Sequence, residues 1–299
     1  MNNITRITWA LNDYCSYQCE YCPTAFRGGG EPPETKEYIK VANIINENYK
    51  SLGRRIEWTI NGGEPLDMND IVTVLKTCKN STNKITLHTS GGKLWMDWWA
   101  LEPYIDALEL TYHHWQNEAL MDYIVQIFIK NKKYIFLHAP VHPSRFVNDM
   151  ERISRFEDKH GIWIHKQVLY INATHSAGML SSYSDDQLAI MEEPKPGLIN
   201  SPPAKQINLV QEKKYFEETT WHERYQHSVT QNPSYTGKFC NMGIEYLYIG
   251  NQGWVSGATC NNRPLGNIWH EGWAPPNTPH RCGMIACRDS GDQQITKFD

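Results

Sequence analysis

The chain has 299 residues, 40% of them hydrophobic, which suffices for one large domain, or a large and a small one, around a sizeable core. Its formal net charge is -4 and no lysine- or arginine-rich block interrupts it, so composition argues against a nucleic-acid partner. Met1 to Trp9 lacks the basic start and apolar run of a signal peptide, and the most apolar stretch, Ile124 to Ile129, is too short to span a bilayer. The expectation is a cytoplasmic protein with no membrane partner.

Strand-like and helix-like segments alternate over the first 170 residues. Ile4 to Leu11, rich in β-branched and aromatic residues, reads as a strand, and Glu34 to Leu52 as a helix with Tyr38, Val41, Ile44 and Ile45 on its apolar side. The same reading gives strands at Ile56 to Ile60, Lys84 to His88, Ala107 to Tyr112, Tyr134 to Ala139 and Ile162 to Leu169. The intervening helices are expected at Asp67 to Cys78, Lys93 to Leu101, Ala119 to Lys130 and Phe146 to His160. Such succession implies an α/β fold with a parallel sheet. Right-handed crossovers would curl it toward a barrel, and with fewer than the eight units of a closed one the expectation is a partial (β/α)6 TIM-like barrel over residues 1–171.

After Asn172 the chain turns polar and proline-containing; residues 172–236 read as a bridge with helices at Ser184 to Glu193 and Lys213 to Tyr225. From residue 237 to 299, glycines, aromatics and cysteines replace helical periodicity, the pattern of a small domain organised by a metal.

The unusual residues follow strands. Cys15 to Cys22 follows the first, Asn61-Gly62-Gly63-Glu64-Pro65 the second, Thr89-Ser90-Gly91-Gly92 the third, His113-His114-Trp115 the fourth and Pro140-Val141-His142-Pro143 the fifth. In barrels these loops ring one mouth, where catalytic groups sit.

Cys15, Cys19 and Cys22 form C-x3-C-x2-C. Three thiolates on one short loop can bind three corners of an iron–sulfur cube and leave one iron open to another ligand. Zinc is the alternative for these thiols. The spacing, with the aromatic Tyr21 before the third cysteine, resembles the signature of the radical S-adenosylmethionine (SAM) superfamily. Gly62-Gly63-Glu64-Pro65 resembles that family's glycine-glycine-glutamate-proline motif, which holds the SAM amino group. Glycine allows close backbone approach, and Glu64 offers a carboxylate to an ammonium. The resemblance covers residues 1 to about 170 by topology and is motif-specific at these two places. It implies a [4Fe–4S] cluster that reductively cleaves SAM to methionine and a 5′-deoxyadenosyl radical. It also implies an external electron donor such as flavodoxin or ferredoxin. Carried over residue by residue, it places Thr89, Ser90 and His113 near SAM and Gln167 near the adenosine. His138, His142 and His165 are further candidates for facing substrate, and Arg27 with Gly28-Gly29-Gly30 suggests a mobile segment near the mouth.

A second cysteine set, Cys240, Cys260, Cys282 and Cys287, has spacings x19, x21 and x4. Four thiolates suit tetrahedral zinc or a fully ligated cluster. With Cys240-Asn241-Met242-Gly243 and a turn near Gly250 to Gly253, the layout resembles the twitch form of the SPASM extension, which implies an auxiliary [4Fe–4S] cluster. Cys78, on a helix face, reads as a buried apolar residue.

The leading expectation is an enzyme that abstracts hydrogen from a peptide or protein side chain. A sugar or alcohol oxidase of the same class is the nearer alternative. A non-catalytic zinc- or cluster-binding scaffold is the distant one.

Overall fold

The computed structural model describes residues 3–19, 21–22, 29–30, 33–169, 182–200, 209–258, 260, 264–287 and 290–299. Arg27, Gly28 and parts of the bridge (172–181 and 201–208) lie outside the described residues.

Six parallel strands follow the expected order: β1 (Ile4–Ala10), β2 (Arg55–Asn61), β3 (Lys84–Thr89), β4 (Ala107–Thr111), β5 (Tyr134–Val141) and β6 (Ile164–Val168). Between them run α1 (Thr35–Ser51), α2 (Ile71–Cys78), α3 (Trp98–Leu101), α4 (Glu118–Lys130) and α5 (Phe146–His160). Alternate strand residues such as Ile7, Trp9, Trp58, Ile60, Leu87, Leu108 and Leu137 are buried. They share one core with Val41, Ile45, Leu75, Ile124, Phe128 and Ile153 from the helices. A strand's period of two therefore leaves its other face for the barrel side.

Side-chain caps fix several helix starts, α2 and α3 later than periodicity suggests and α4 one residue earlier. Asp70, Asp97 and Asn117 accept from backbone N–H groups of the first turns of α2, α3 and α4. Beyond the barrel come α6 (Asp185–Glu192), α7 (Leu209–Glu218) and α8 (Trp221–Gln231). The single helix expected over Lys213 to Tyr225 is thus two. Thr220 stops the first and opens the second through reciprocal bonds with Glu223.

The C-terminal part does two things. Strands β8 (Tyr246–Ile249), β9 (Trp254–Ser256) and β10 (Pro264–Asn267) extend the barrel sheet, giving the order β10-β9-β8-β1-β2-β3-β4-β5-β6. β8 runs parallel to β1, with Ile7 beside Leu247, and the expected turn at Gly250 to Gly253 joins β8 to β9. The Tyr49 hydroxyl on α1 donates to Gly243 O at 2.5 Å and anchors this segment. A separate three-stranded sheet, β11-β7-β12, consists of β7 (Phe239–Cys240), β11 (His280–Arg281) and β12 (Lys297–Phe298). Among the described residues no helix is long and apolar enough to cross a membrane.

Candidate active site

The loops after β1 and β2 are bound to each other by their backbones. Gly63 N–H donates to Asn12 O at 2.8 Å and Glu64 N–H to Tyr14 O at 3.0 Å. The approach is so close that a Cβ on Gly63 would stand 2.0 Å from Tyr14 O. Gly62 has φ +141, which side-chain-bearing residues rarely adopt. Within the cysteine loop, Gln18 takes a left-handed φ of 50 and its side-chain amide donates to Cys15 O at 2.8 Å. Cys22 N–H donates to Cys19 O at 3.0 Å and closes the next turn.

Glu64 is buried and its carboxylate is fully engaged. Oε1 accepts from Thr89 Oγ1 at 2.5 Å and Leu66 N at 3.0 Å; Oε2 accepts from Ser90 N at 2.9 Å and Ser90 Oγ at 2.6 Å. Burial pushes its pKa upward against the pull of these donors. The loop after β3 is thereby locked to the glycine loop.

His113, at the end of β4, is 2.5 Å from the Tyr21 hydroxyl through Nδ1, and its ring stacks on Trp115 at 4.9 Å. Burial, helped by His114 and Arg152, pushes its pKa down to about 4. The folded value lies below that of an unfolded histidine near 6.5. The neutral ring's contribution is therefore full above pH 6.5 and is lost as pH falls from 6.5 through 4. Urea unfolding across this range should show a loss of roughly 3 kcal/mol, which His113→Gln should flatten.

These loops enclose a cavity of about 650 Å³ at the C-terminal ends of the parallel strands. Cys15, Cys19, Tyr21 and Cys22 line it together with Gly62, Gly63 and Glu64. Thr89, Ser90, His113 and Gln167 complete the expected set. Pro65 is the exception: buried, it starts the one-turn 3₁₀ helix Pro65–Asp67 and is not part of the wall. Of the three further histidines, His142 receives the Ser144 N–H as a helix cap. His138 and His165 pack edge to face on neighbouring strands, at 5.6 Å.

The cavity also includes Tyr17, His88, Thr111 and Tyr248, which motif reading missed. His88 and Thr111 carried a usable signal, since they are polar residues alternating with the buried positions of β3 and β4. Tyr248 carried none, because it depends on β8 lying beside β1. Below the cavity, Glu109 Oε2 stands 3.2 Å from His88 Nε2 and 3.6 Å from His138 Nε2. Burial opposes its ionisation, but the two imidazoles outweigh it and hold its pKa near about 2.

The donor set fits the cofactors implied by the motifs. The three thiols line the cavity together with Gly62, Gly63 and Glu64, and the Asn12 amide packed against Gly63 is buried with neither of its atoms hydrogen-bonded among the described residues. A cube spreads its thiolates over different irons, so three thiols lining one cavity meet the need. Burial raises the Cys15 thiol pKa, so loading metal there releases a proton.

The C-terminal cysteines are also brought near one another. Cys240, Cys260 and Cys282 share a small cluster with Met242, Ala258 and Ile295, and Cys287 is close enough to Cys240 and Cys282 to feel their charge. Burial raises the pKa of both Cys240 and Cys287, with Lys297 opposing. Among the described residues no group of three or more Cys, His, Asp or Glu converges on a single ion position.

No protein-family model matches the sequence, and no curated protein does. Solved structures do. SuiB from Streptococcus suis, bound to its precursor peptide SuiA, superposes with a TM-score of 0.52 at 14% identity, over 90% of this chain and 63% of SuiB. The chain shares the partial-barrel α/β fold of SuiB. Two other solved structures align more loosely. They are anSMEcpe with bound AdoMet and Kp18Cys peptide (TM-score 0.47, 12% identity, 89% of this chain, 78% of that one) and BtrN with AdoMet and 2-DOIA (0.39, 13%, 91% and 85%).

Proposed function

We propose that the chain is a radical SAM enzyme acting on a peptide or protein side chain. One observation carries the reading: the three thiols of C-x3-C-x2-C and the Gly62-Gly63-Glu64 loop line the same cavity at the mouth of the partial barrel. Cys15, Cys19 and Cys22 would hold three irons of a [4Fe–4S] cluster, leaving the fourth for SAM. When bound, these cofactors supply methionine and a 5′-deoxyadenosyl radical, which takes a hydrogen atom from substrate.

The chain's residues bind, orient and exclude water. Gly62 and Gly63 let the loop after β2 close on the loop after β1, which brings both loops to the cavity. A ligand ammonium reaches Glu64 by replacing the hydroxyl of Thr89 or Ser90, because these rotate while the backbone donors of Leu66 and Ser90 are fixed. His113 stays neutral at working pH and offers a ring nitrogen rather than a second cation. Gln167, Thr111 and Tyr248 add polar groups around the remainder of the cavity.

Peptide substrates are favoured because SuiB, whose fold this chain shares, is seen with its precursor peptide. Cys240, Cys260, Cys282 and Cys287 are assigned to an auxiliary cluster that accepts an electron or positions substrate. Zinc is the competing occupant, and iron and sulfide analysis distinguishes the two. The initial electron comes from an external one-electron donor of the flavodoxin or ferredoxin kind.

The test is anaerobic loading with iron and sulfide, then addition of SAM and dithionite. Appearance of 5′-deoxyadenosine is the expected result. Zinc without iron at the first three thiols, or an intact cluster that leaves SAM uncut, sinks the reading.

A further inference from the structure

The cysteine loop is held by more than its glycine neighbours. Asp67 ends the 3₁₀ turn that follows the glycine loop, and Lys93 lies in the segment after β3. The Asp67 carboxylate accepts the Ser16 backbone N–H at 2.8 Å through Oδ2 and pairs with Lys93 Nζ through Oδ1. The same ammonium donates to Ser16 Oγ at 2.5 Å and stands 4.9 Å from the centre of the Tyr17 ring. Tyr17 in turn stacks on Trp115 at 4.6 Å. Both charged side chains are nearly buried, Asp67 at 6% and Lys93 at 13% exposure. Each would leave the other as an uncompensated charge if removed.

We propose that Asp67 and Lys93 are positioning residues for the cysteine loop: this ion pair clamps Ser16 and Tyr17, which lie between Cys15 and Cys19, and so sets the separation at which those thiols meet iron. The physical case is geometric. Gln18 already sits in the left-handed region, so the turn between the two cysteines is held against its local preference. A backbone bond, a hydroxyl bond and a cation over the ring all act on the two residues before it. Three loops from three strand ends thereby converge on one dipeptide. Groups behind metal ligands commonly set affinity in this way. The proposal rests on the reading that Cys15, Cys19 and Cys22 hold iron.

The experiment compares wild type with Asp67→Ala, Lys93→Met and Lys93→Arg as full-length chains. Before loading, hydrogen exchange at the Ser16 amide should rise about tenfold or more in Asp67→Ala and Lys93→Met. After anaerobic loading with iron and sulfide, and below each variant's melting temperature, ferrozine should strip iron about 10- to 100-fold faster from these two. Lys93→Arg keeps the charge and donor reach and should behave like wild type. Iron at the first three thiols is identified as the amount that Cys19→Ala fails to hold. Should Asp67→Ala not fold, Lys93→Met alone decides. Wild-type Ser16 exchange and iron release in a folded variant overturn the proposal. A wild-type chain that binds no more iron than Cys19→Ala overturns the parent reading instead, and Ser16 exchange still decides whether the pair clamps the loop.

Discussion

Cys19→Ala is expected to abolish 5′-deoxyadenosine formation, by at least about 10³-fold, or about 4 kcal/mol in transition-state terms. Cys19 is the middle thiol of the loop, lines the cavity beside Cys15 and Cys22, and its carbonyl receives the Cys22 N–H that shapes the following turn. Alanine leaves that backbone bond intact and removes only the sulfur. The fold should therefore survive, read as an unchanged urea midpoint. Any metal held by Cys240, Cys260, Cys282 and Cys287 should remain, because those residues sit around the separate β11-β7-β12 sheet. Measuring iron per chain and deoxyadenosine together separates the cases. Loss of iron from both ends would mean that the two cysteine sets are one system, contrary to the assignment above.

Gly63→Ala should destabilise the protein by about 3 kcal/mol, at the top of the usual range for overpacking. The added methyl would meet Tyr14 O at 2.0 Å and Tyr14 C at 2.6 Å. These are backbone atoms, so no side chain can swing aside. The loop after β1 would have to leave the loop after β2, breaking the Gly63-to-Asn12 and Glu64-to-Tyr14 bonds that align the cysteines with Glu64. Cluster loading should fall with stability. Gly30→Ala is the matching control, because a Cβ there meets nothing within 4 Å among the described residues. Equal urea midpoints for the two variants would show that the close approach is not a constraint in solution.

Strand periodicity and caps explain why so much of the site could be found from the amino-acid order. Val, Ile and aromatic residues at alternate positions specify which face of each strand meets the helices, and therefore which loops leave the opposite end. That suffices to gather Cys15, Gly62, Thr89, His113 and Gln167 at one mouth. The break at Thr220 was harder to find, because a capping threonine inside a helical pattern is a local signal outweighed by the periodicity on both sides.

The amino-acid order alone determined the alternation of strands and helices, the thiol spacing and the glycine loop, since each depends on residues near one another in the chain. Tertiary structure alone decided that β8 adds to β1 and brings Tyr248 to the cavity, that Glu64 spends its four acceptor positions on Leu66, Thr89 and Ser90, and that Asp67 and Lys93 meet across Ser16. Those contacts join segments distant in the chain, and no periodicity within a segment specifies which partner it will meet.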